Sequence, residues 1–395
     1  MVSPRRFGTR EGRRVRICLV GGIFDRPEAV RSKQLVTPET VLLDGFRKAG
    51  VEVDAVGHAR FEPSDDYDII HVHHFGRAAL KMASARGRAR RVFTGHNGTI
   101  PTGWERSRLR RYLFRYVVDR ADAFVALSHA EARYFADVTN ADKIHTIPNG
   151  IPADVFRANG DAGKRSDEDR YDVLYVGQLI QWKGVHVLLE AMRQLRGRRH
   201  VHLRLVYHNA QLEAELRRQA VDLGIAEDVE FVGIRDPIEL AREYHQADLL
   251  VLPSFADCLP SVVTESLLCG TPVVAGGVCG VPDQVGAYGL AVPPGDAVAL
   301  ANAMDAILAD RPRWRAAAAE MRAYAERTFK PETMVARHLA MYEELRRGDR
   351  VAAKRGAFWV DLAVRLAIEG YWRRGPGHRG DRRRGGPEKA TVDAH

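Results

Sequence analysis

Two carboxylates and one lysine carry the most legible chemistry in this chain. Lys183-Gly184 follows an apolar run that ends at Gly177 and precedes a helix-like segment. A lysine beside a helix N-terminus, approached through glycine, suits a phosphate, because the cation and the free amides attract the same anion. The bland alternative is a solvated lysine at a helix start. Asp257 lies in Pro253-Ser254-Phe255-Ala256-Asp257-Cys258-Leu259-Pro260, which links the end of a strand to a helix opening at Pro260. Glu265 stands eight residues later, about two turns into that helix. Its neighbours Val262, Val263, Leu267 and Leu268 are apolar, so this acid needs a polar partner, as a solvated helix carboxylate would not. His96 closes another apolar run in Thr94-Gly95-His96-Asn97-Gly98, where by itself it reads as a histidine capping a loop. His71, His73 and His74 invite a metal reading. His71 and His73 could share one strand face, but no carboxylate or cysteine completes a set, so no metal site is assigned.

The elements that must hold these residues alternate along the chain. Val15 to Val20 is a β-branched run ending in Gly21-Gly22, and a helix from Thr37-Pro38-Glu39 to Lys48 follows, with Thr37 as cap and Pro38 in its first position. Strands are expected at Val51 to Val56, Ile69 to Val72, Arg91 to Thr94 and Ala123 to Leu127, and helices at Trp104 to Asp119 and His129 to Asp137. Asn159 to Arg170 holds no apolar residue larger than alanine and reads as a linker or loop. The alternation then restarts. Strands Val173 to Val176, Leu203 to Val206, Val229 to Val232, Leu249 to Leu252 and Thr271 to Val274 are separated by helices Val185 to Leu195, Leu212 to Leu223, Ile238 to His245 and Pro260 to Leu268. Helices near Ala297 to Leu308, Pro312 to Thr328 and Pro331 to Arg346 finish the fold. This is an α/β chain of two doubly wound domains facing across a cleft, with ligands expected at the carboxyl ends of the strands. The domains are expected at 1–155 and 156–330, followed by a closing helix at 331–350, an extra apolar helix at 351–374 and a disordered basic tail at 375–395.

Bulk properties exclude several classes. The 395 residues are 45% hydrophobic and 28% charged, the proportions of a soluble globular protein. The longest apolar runs are strand-sized, far short of the ~20 residues that span a bilayer. The arginine-rich start runs into Val15 to Phe24 and then Asp25-Arg26-Pro27 without a small-residue cleavage site, so it reads as a first strand, and a cytoplasmic protein is expected. Cys18, Cys258, Cys269 and Cys279 show no CxxC spacing and read as free buried thiols. The net charge is +9 and the pI about 9.5. No zinc-finger spacing or aromatic RNA-binding strand accompanies that charge, so nucleic acid is not expected as a partner.

The stretch around Asp257 resembles the family 4 glycosyltransferases of the GT-B fold, whose mark is two acids separated by seven residues in a loop–helix unit. Here the pattern reads Asp257, Leu259 to Thr264, Glu265, then Cys269-Gly270-Thr271-Pro272-Val273-Val274, with Gly280, Pro282 and Asp283 in the turn beyond. Val176-Gly177-Gln178-Leu179 with Lys183-Gly184 resembles the family's diphosphate-binding strand and loop, and Val229 to Gly233 the strand whose following backbone, at Ile234 and Arg235, meets the base. Ile147-Pro148-Asn149-Gly150-Ile151 resembles the link between domains, and the likeness spans most of residues 15 to 345. It implies a retaining, metal-independent transfer of a sugar, a hexose by expectation, from a nucleotide-diphosphate sugar to a glycan or lipid-linked acceptor, with no cofactor. Lys183 and Gln178 would meet the diphosphate, Glu265 the ribose hydroxyls and Asp257 the transferred sugar. Backbone amides near Leu259 and Ser261 would add donors, the Gly21-Gly22 turn would let the first domain approach the phosphates, and His96 would meet the sugar.

This sequence departs from the family in three places. Gln178 stands where arginine is usual, Asp257 replaces the usual glutamate, and Tyr207-His208-Asn209-Ala210 replaces a Gly-rich turn. These motivate a rival reading, a non-catalytic subunit of the same fold that binds a partner or a nucleotide sugar. A sugar-nucleotide epimerase of similar architecture lacks the support of the acid loop. Asp66-Tyr67-Asp68 matches the acid-x-acid motif of metal-dependent GT-A transferases but precedes a strand, and reads as its polar lead-in. Beyond the transferase fold, Ala357 to Trp372 is apolar around most of its circumference, with Asp361, Arg365 and Glu369 in one narrow stripe. It reads as a helix packed on the protein itself, or as one resting on an anionic membrane face, with residues 354–384 as a peripheral contact on the inner leaflet.

Overall fold

The computed structural model describes residues 15–27, 37–96, 107–157 and 170–348. The first sheet is built from β1 (Arg16–Val20), β2 (Glu52–Val56), β3 (Ile69–His73), β4 (Arg90–Thr94), β5 (Ala123–Ala126) and β6 (Ile144–Thr146), in the order β2-β1-β3-β4-β5-β6. Every described pair in it is parallel. The second sheet holds β7 (Tyr171–Val176), β8 (Val201–Val206), β9 (Val229–Gly233), β10 (Leu249–Leu252), β11 (Val273–Gly276) and β12 (Gly289–Val292), in the order β12-β11-β10-β7-β8-β9, also all parallel. Parallel strands are covered on both faces and so read as near-continuous apolar runs. Accordingly, all of β3, β5, β10 and β11 is buried.

Helices connect the strands. In the first half they are α1 (Pro38–Lys48), α2 (Arg77–Ser84), α3 (Arg108–Arg120), α4 (His129–Ala136) and the short α5 (Asp154–Arg157). In the second they are α6 (Val185–Leu195), α7 (Glu213–Asp222), α8 (Pro237–Gln246), α9 (Ser261–Leu268), α10 (Val281–Val285), α11 (Ala297–Ala309), α12 (Arg311–Ala316), α13 (Ala318–Thr328) and α14 (Pro331–Arg347). Capping chemistry sets the boundaries. Thr37 and Thr40 exchange side-chain and backbone hydrogen bonds at the start of α1, and Asp236 and Glu239 do the same for α8, each ahead of a proline.

The expected elements are present, with shifts at their ends. Pro272 lacks an N–H for the ladder, so β11 begins at Val273 rather than Thr271. The helix expected over Pro312 to Thr328 is two, α12 and α13, joined at Ala317. Sequence periodicity missed α2, α5, α10, β6 and β12, most of them too short for a period to register. The helix expected from Trp104 is described only from Arg108.

The last helix crosses back to the first sheet. Met334, Val335, Met341 and Tyr342 of α14 join the core that holds Ile17, Leu19, Phe46 and Val92, and Tyr342 meets Phe46 at 5.7 Å between ring centroids. The α1–α14 contact is close because Gly45 has no side chain: a Cβ there would lie 2.3 Å from Val335 Cγ2. The extra helix and tail expected beyond 350 lie outside the described residues, as does the expected linker Asn159 to Arg170 except for Arg170. Among the described residues, no helix is long and apolar enough to cross a membrane.

Candidate functional site

The loops that leave β7 and β10 are fastened to each other. After β7 the chain passes Gly177 to Ile180 and makes a 3-10 turn, Gln181–Lys183, that ends at Gly184 with φ +72°. That left-handed conformation favours glycine, and a Cβ there would also lie 2.1 Å from the Pro253 carbonyl oxygen. The Trp182 carbonyl accepts from Phe255 N (2.8 Å) and from Ser254 Oγ (3.1 Å). With the loops so held, Lys183 Nζ donates to both Asp257 oxygens at 2.9 Å, and each side chain is 17% exposed. The lysine assigned to phosphate and the acid assigned to sugar therefore form one ion pair. A cation and an anion are thus held to each other beside the N-terminus of α6.

Glu265 has the partner that its apolar surroundings demanded. Tyr244 of α8, fully buried, donates its hydroxyl to Glu265 Oε2 at 2.8 Å. Burial raises the Glu265 carboxyl, and hydrogen bonds from Tyr244 and from Ser261 one turn earlier partly offset that rise. The opening of α9 is braced from behind, where Gln284 Nε2 donates to the Pro260 carbonyl and to Thr264 Oγ1, both at 2.9 Å. Leu259 is half-buried against the second-domain core. At the β9 edge, Ile234 is 73% exposed, while the Arg235 guanidinium donates to Glu243 Oε1 at 3.3 Å and to the Ile234 carbonyl at 3.2 Å.

Two departures flagged in the sequence meet in space. Gln178 Nε2 lies 3.4 Å from His208 Nε2, in the turn after β8 where the Gly-rich segment is missing. Asn209 stabilises that turn without glycine: its carbonyl accepts from Leu179 N at 2.8 Å and its side chain from Gln211 N at 3.1 Å. Burial lowers the His208 imidazole, and the positive charges of Arg26 and Lys183 lower it further. Arg26 follows β1, so the first domain's leading loop lies near this turn.

In the first domain the carboxyl ends of β2, β3 and β4 carry a histidine cluster, with His58 beyond β2, His73 and His74 at β3 and His96 at β4. His96 has φ +46° and His74 φ +65°, an uncommon conformation for a residue with a side chain, and their rings lie 4.7 Å apart. His96 Nε2 is bonded to His73 Nδ1 at 2.8 Å, and His74 Nε2 donates to the buried Glu39 at 2.9 Å. Burial, with His74 adding, lowers His96 to about 3, so at neutral pH it is an uncharged hydrogen-bonding group. Burial pushes the Glu39 carboxyl up, but the His74 hydrogen bond and the neighbouring histidines outweigh it and hold it well below the usual range. Gly21 is extended (φ −154°), and a Cβ there would come 3.0 Å from Glu39 Cγ, while one at Gly22 would meet His58 Nδ1 at 3.4 Å. The two glycines thus keep this end of β1 open to Glu39 and His58. His71 and His73 do share a strand face, at 4.3 Å between rings, but both nitrogens of His71 are occupied, by Tyr342 Oη (2.6 Å) and Thr94 Oγ1 (2.7 Å). Among the described residues, no three histidine, cysteine or acidic side chains are disposed to hold a metal ion.

The structure thus joins Lys183 with Asp257, and Glu265 with Ser261. No hydrogen bond or ion pair among the described residues links His96, Gly21 or Gly22 to them. Sequence reasoning missed Tyr244, His208 and the Glu39–His74 pair. Only the helical spacing of Glu39 behind Pro38, beside an apolar face, could have pointed to any of them.

Residues 157–328 match the family described as Glycosyl transferases group 1, and residues 57–155 match Glycosyltransferase Family 4. A D-inositol 3-phosphate glycosyltransferase of Mycobacterium marinum is 30% identical over 349 residues, covering 81% of this chain and 72% of the relative. One from Geodermatophilus obscurus is 32% identical over 316 residues, covering 73% and 69%. Among solved structures, sucrose-phosphate synthase from Thermosynechococcus elongatus superposes with a TM-score of 0.69 at 23% identity, over 84% of this chain and 99% of that one. Anabaena HepE in complex with UDP and glucose superposes with a TM-score of 0.65 at 20% identity, over 84% and 100%. These last two likenesses carry the two-sheet GT-B fold.

Proposed function

The chain belongs to the family 4 glycosyltransferases, and from that premise we propose that it transfers a sugar, without a metal and with retention of configuration, from a nucleoside-diphosphate sugar to a glycan or lipid-linked acceptor. The observation that carries this reading is the Lys183–Asp257 pair, stapled between the loops after β7 and β10. Lys183 turns to the diphosphate and gains most as negative charge builds on the departing nucleotide. Asp257 then accepts hydroxyls of the sugar and steadies positive charge on its ring. Glu265, kept in place by Tyr244, takes the ribose hydroxyls. Backbone amides at Leu259 and Ser261 serve the donor, Gln178 meets the diphosphate, and the backbone at Ile234 and Arg235 meets the base. Gly21 and Gly22 admit the phosphates from the first domain, and His96, neutral at pH 7, orients the sugar or acceptor through hydrogen bonds. UDP and UDP-glucose are bound by a structural neighbour, Anabaena HepE, which favours uridine nucleotides as the first donors to try. The relatives named above act on D-inositol 3-phosphate, which makes a phosphorylated polyol an acceptor class to include. No described helix crosses a membrane; a lipid-linked acceptor would be met through residues 354–384, outside the described region.

The test is release of nucleoside diphosphate from a panel of nucleotide sugars, with and without excess chelator, and with the product anomer read by NMR. Transfer that persists in chelator and keeps the donor's anomeric configuration is expected. An inverted product, or activity abolished by chelator and restored by Mn²⁺, would overturn the reading.

A further inference from the structure

The four cysteines carry no spacing motif, yet two of them meet. Cys258 Sγ and Cys279 Sγ lie 2.8 Å apart. Cys258 stands between Asp257 and Leu259 in the acid loop, and Cys279 in the loop after β11, with φ +47°. Both also touch the first domain. Ser128, which caps α4, brings its Oγ to 3.7 Å from Cys279 Sγ, and the buried Glu131 of α4 takes a hydrogen bond from the Cys258 thiol. There is no slack around them: a Cβ at Gly280 would lie 2.3 Å from Ser128 Cβ and 2.8 Å from the Cys258 carbonyl oxygen. Cys18 and Cys269 are buried elsewhere, Cys18 in β1 and Cys269 against the Phe156 carbonyl.

We propose that Cys258 and Cys279 are a peroxide-oxidisable dithiol, a modification site whose disulfide ties the Asp257 loop to the loop that meets the first domain. Its effect on turnover rests on reading the Asp257 loop as the donor-sugar loop; its chemistry does not. Cys279 is the half-buried sulfur and so the one a peroxide reaches. Its thiolate attacks one peroxide oxygen, the O–O bond breaks, and the sulfur becomes a sulfenic acid as the other oxygen leaves as water. Cys258, held in its protonated form by its hydrogen bond to Cys279 and by burial, is the resolving partner. Its sulfur attacks Cys279 Sγ, the S–O bond breaks, and the departing hydroxide leaves as water with the thiol proton. Two thiols and one hydrogen peroxide thus give one disulfide and two waters. The bond requires the sulfurs to close further and turn to a near-perpendicular dihedral. With Ser128 and Gly280 in contact on one side, that movement falls on the Asp257 loop.

The full chain, reduced and then exposed to hydrogen peroxide, decides this. Thiol titration under denaturing conditions should fall from four groups to two. A peptide map should find residue 258 joined to residue 279 with a mass loss of about 2 Da. Donor turnover should drop about tenfold or more and return with dithiothreitol. Cys279→Ser, compared with its own untreated activity, should form no such crosslink and lose no turnover to peroxide. Oxygen added at Cys279 without a crosslink, a crosslink to Cys18 or Cys269, or a 258–279 crosslink that leaves turnover unchanged would each overturn the proposal. If the untreated protein turns over no nucleotide sugar, the transferase reading fails, while the thiol count and the map still decide the dithiol.

Discussion

Asp257→Asn should tighten the binding of a nucleoside diphosphate that carries no sugar, while slowing turnover of the intact donor. Both Asp257 oxygens hold Lys183 Nζ at 2.9 Å. A diphosphate must therefore compete with Asp257 for the lysine. Both side chains are 17% exposed. Exposed pairs couple by about 0.2–1 kcal/mol, and breaking a fully buried pair costs about 3–5, so roughly 1–2 kcal/mol is expected here. Removing the acid's charge releases that amount to the diphosphate, a gain of about 5- to 30-fold in affinity. Lys183→Ala has the opposite sign: losing a charge-assisted contact of about 1.5–3 kcal/mol weakens the same ligand by roughly 10- to 150-fold. Calorimetric titration with uridine and guanosine diphosphates reads both variants. The double variant should bind no better than Lys183→Ala, because the acid matters to this ligand only through the lysine. With the intact donor, Asp257→Asn should lose turnover by about tenfold or more, since the sugar hydroxyls lose their acceptor. If Asp257→Asn instead weakens nucleoside diphosphate as Lys183→Ala does, then Asp257 positions the lysine for phosphate and the idea of competition is wrong.

Tyr244→Phe leaves a buried carboxylate short of a donor, so urea denaturation should show a loss of about 1–3 kcal/mol with the fold retained; a change under about 0.5 kcal/mol would mean that Glu265 is satisfied without Tyr244. The imidazoles of His96 and His338 are lowered to about 3 and about 4, against about 6.5 in an unfolded chain. The unfolded state then binds more protons between those values, so this part of the stability is complete above pH 6.5 and is lost as pH falls toward 3 to 4. Urea midpoints that do not fall between pH 7 and pH 5 would contradict the burial of both rings. His208 is lowered by burial, Arg26 and Lys183, and a bound diphosphate should raise it again, so binding should take up a proton and weaken as pH rises. Calorimetry in two buffers of different ionisation heat measures that uptake, and His208→Asn should abolish it; uptake that survives the substitution would assign it elsewhere.

The second domain was the more legible half because its candidate residues fall in short local motifs at strand ends. Asp257 and Glu265 lie in one loop–helix unit, and Lys183 sits one residue before a helix, so spacing alone places them at strand ends. What spacing could not give was the pairing of Lys183 with Asp257, which are 74 residues apart in sequence and are joined through Trp182, Ser254 and Phe255. Tyr244 was hidden for a similar reason: on α8 it looks like an ordinary core aromatic, and its hydroxyl acquires meaning only when α9 packs alongside. In the first domain, the histidines of β3 were readable as a strand face but not as a cluster. Their partners come from α1 (Glu39), from the end of β4 (His96) and from α14 (His338 and Tyr342). Residue type and period carry no record of such distances, whereas α1 and β1 themselves were plain from Thr37, Pro38 and a β-branched run.

The paired departures at Gln178 and His208 are better understood together than apart. An arginine at position 178 would place a permanent charge beside Lys183, in a region that Arg26 also approaches. Such a cluster is costly while the site is empty, because like charges repel and burial penalises each. Glutamine removes that cost and keeps a donor amide. It also stands 3.4 Å from a histidine that burial, and then those same cations, shift toward its uncharged form. A bound diphosphate would oppose those cations and so favour protonation of His208. On the proposed function, a second cation at this end of the site would be conditional on the ligand, where an arginine would be constant. On that view the loss of the Gly-rich turn and the loss of the arginine are one change. The turn that Asn209 stabilises without glycine is the one that sets His208 3.4 Å from the uncharged Gln178.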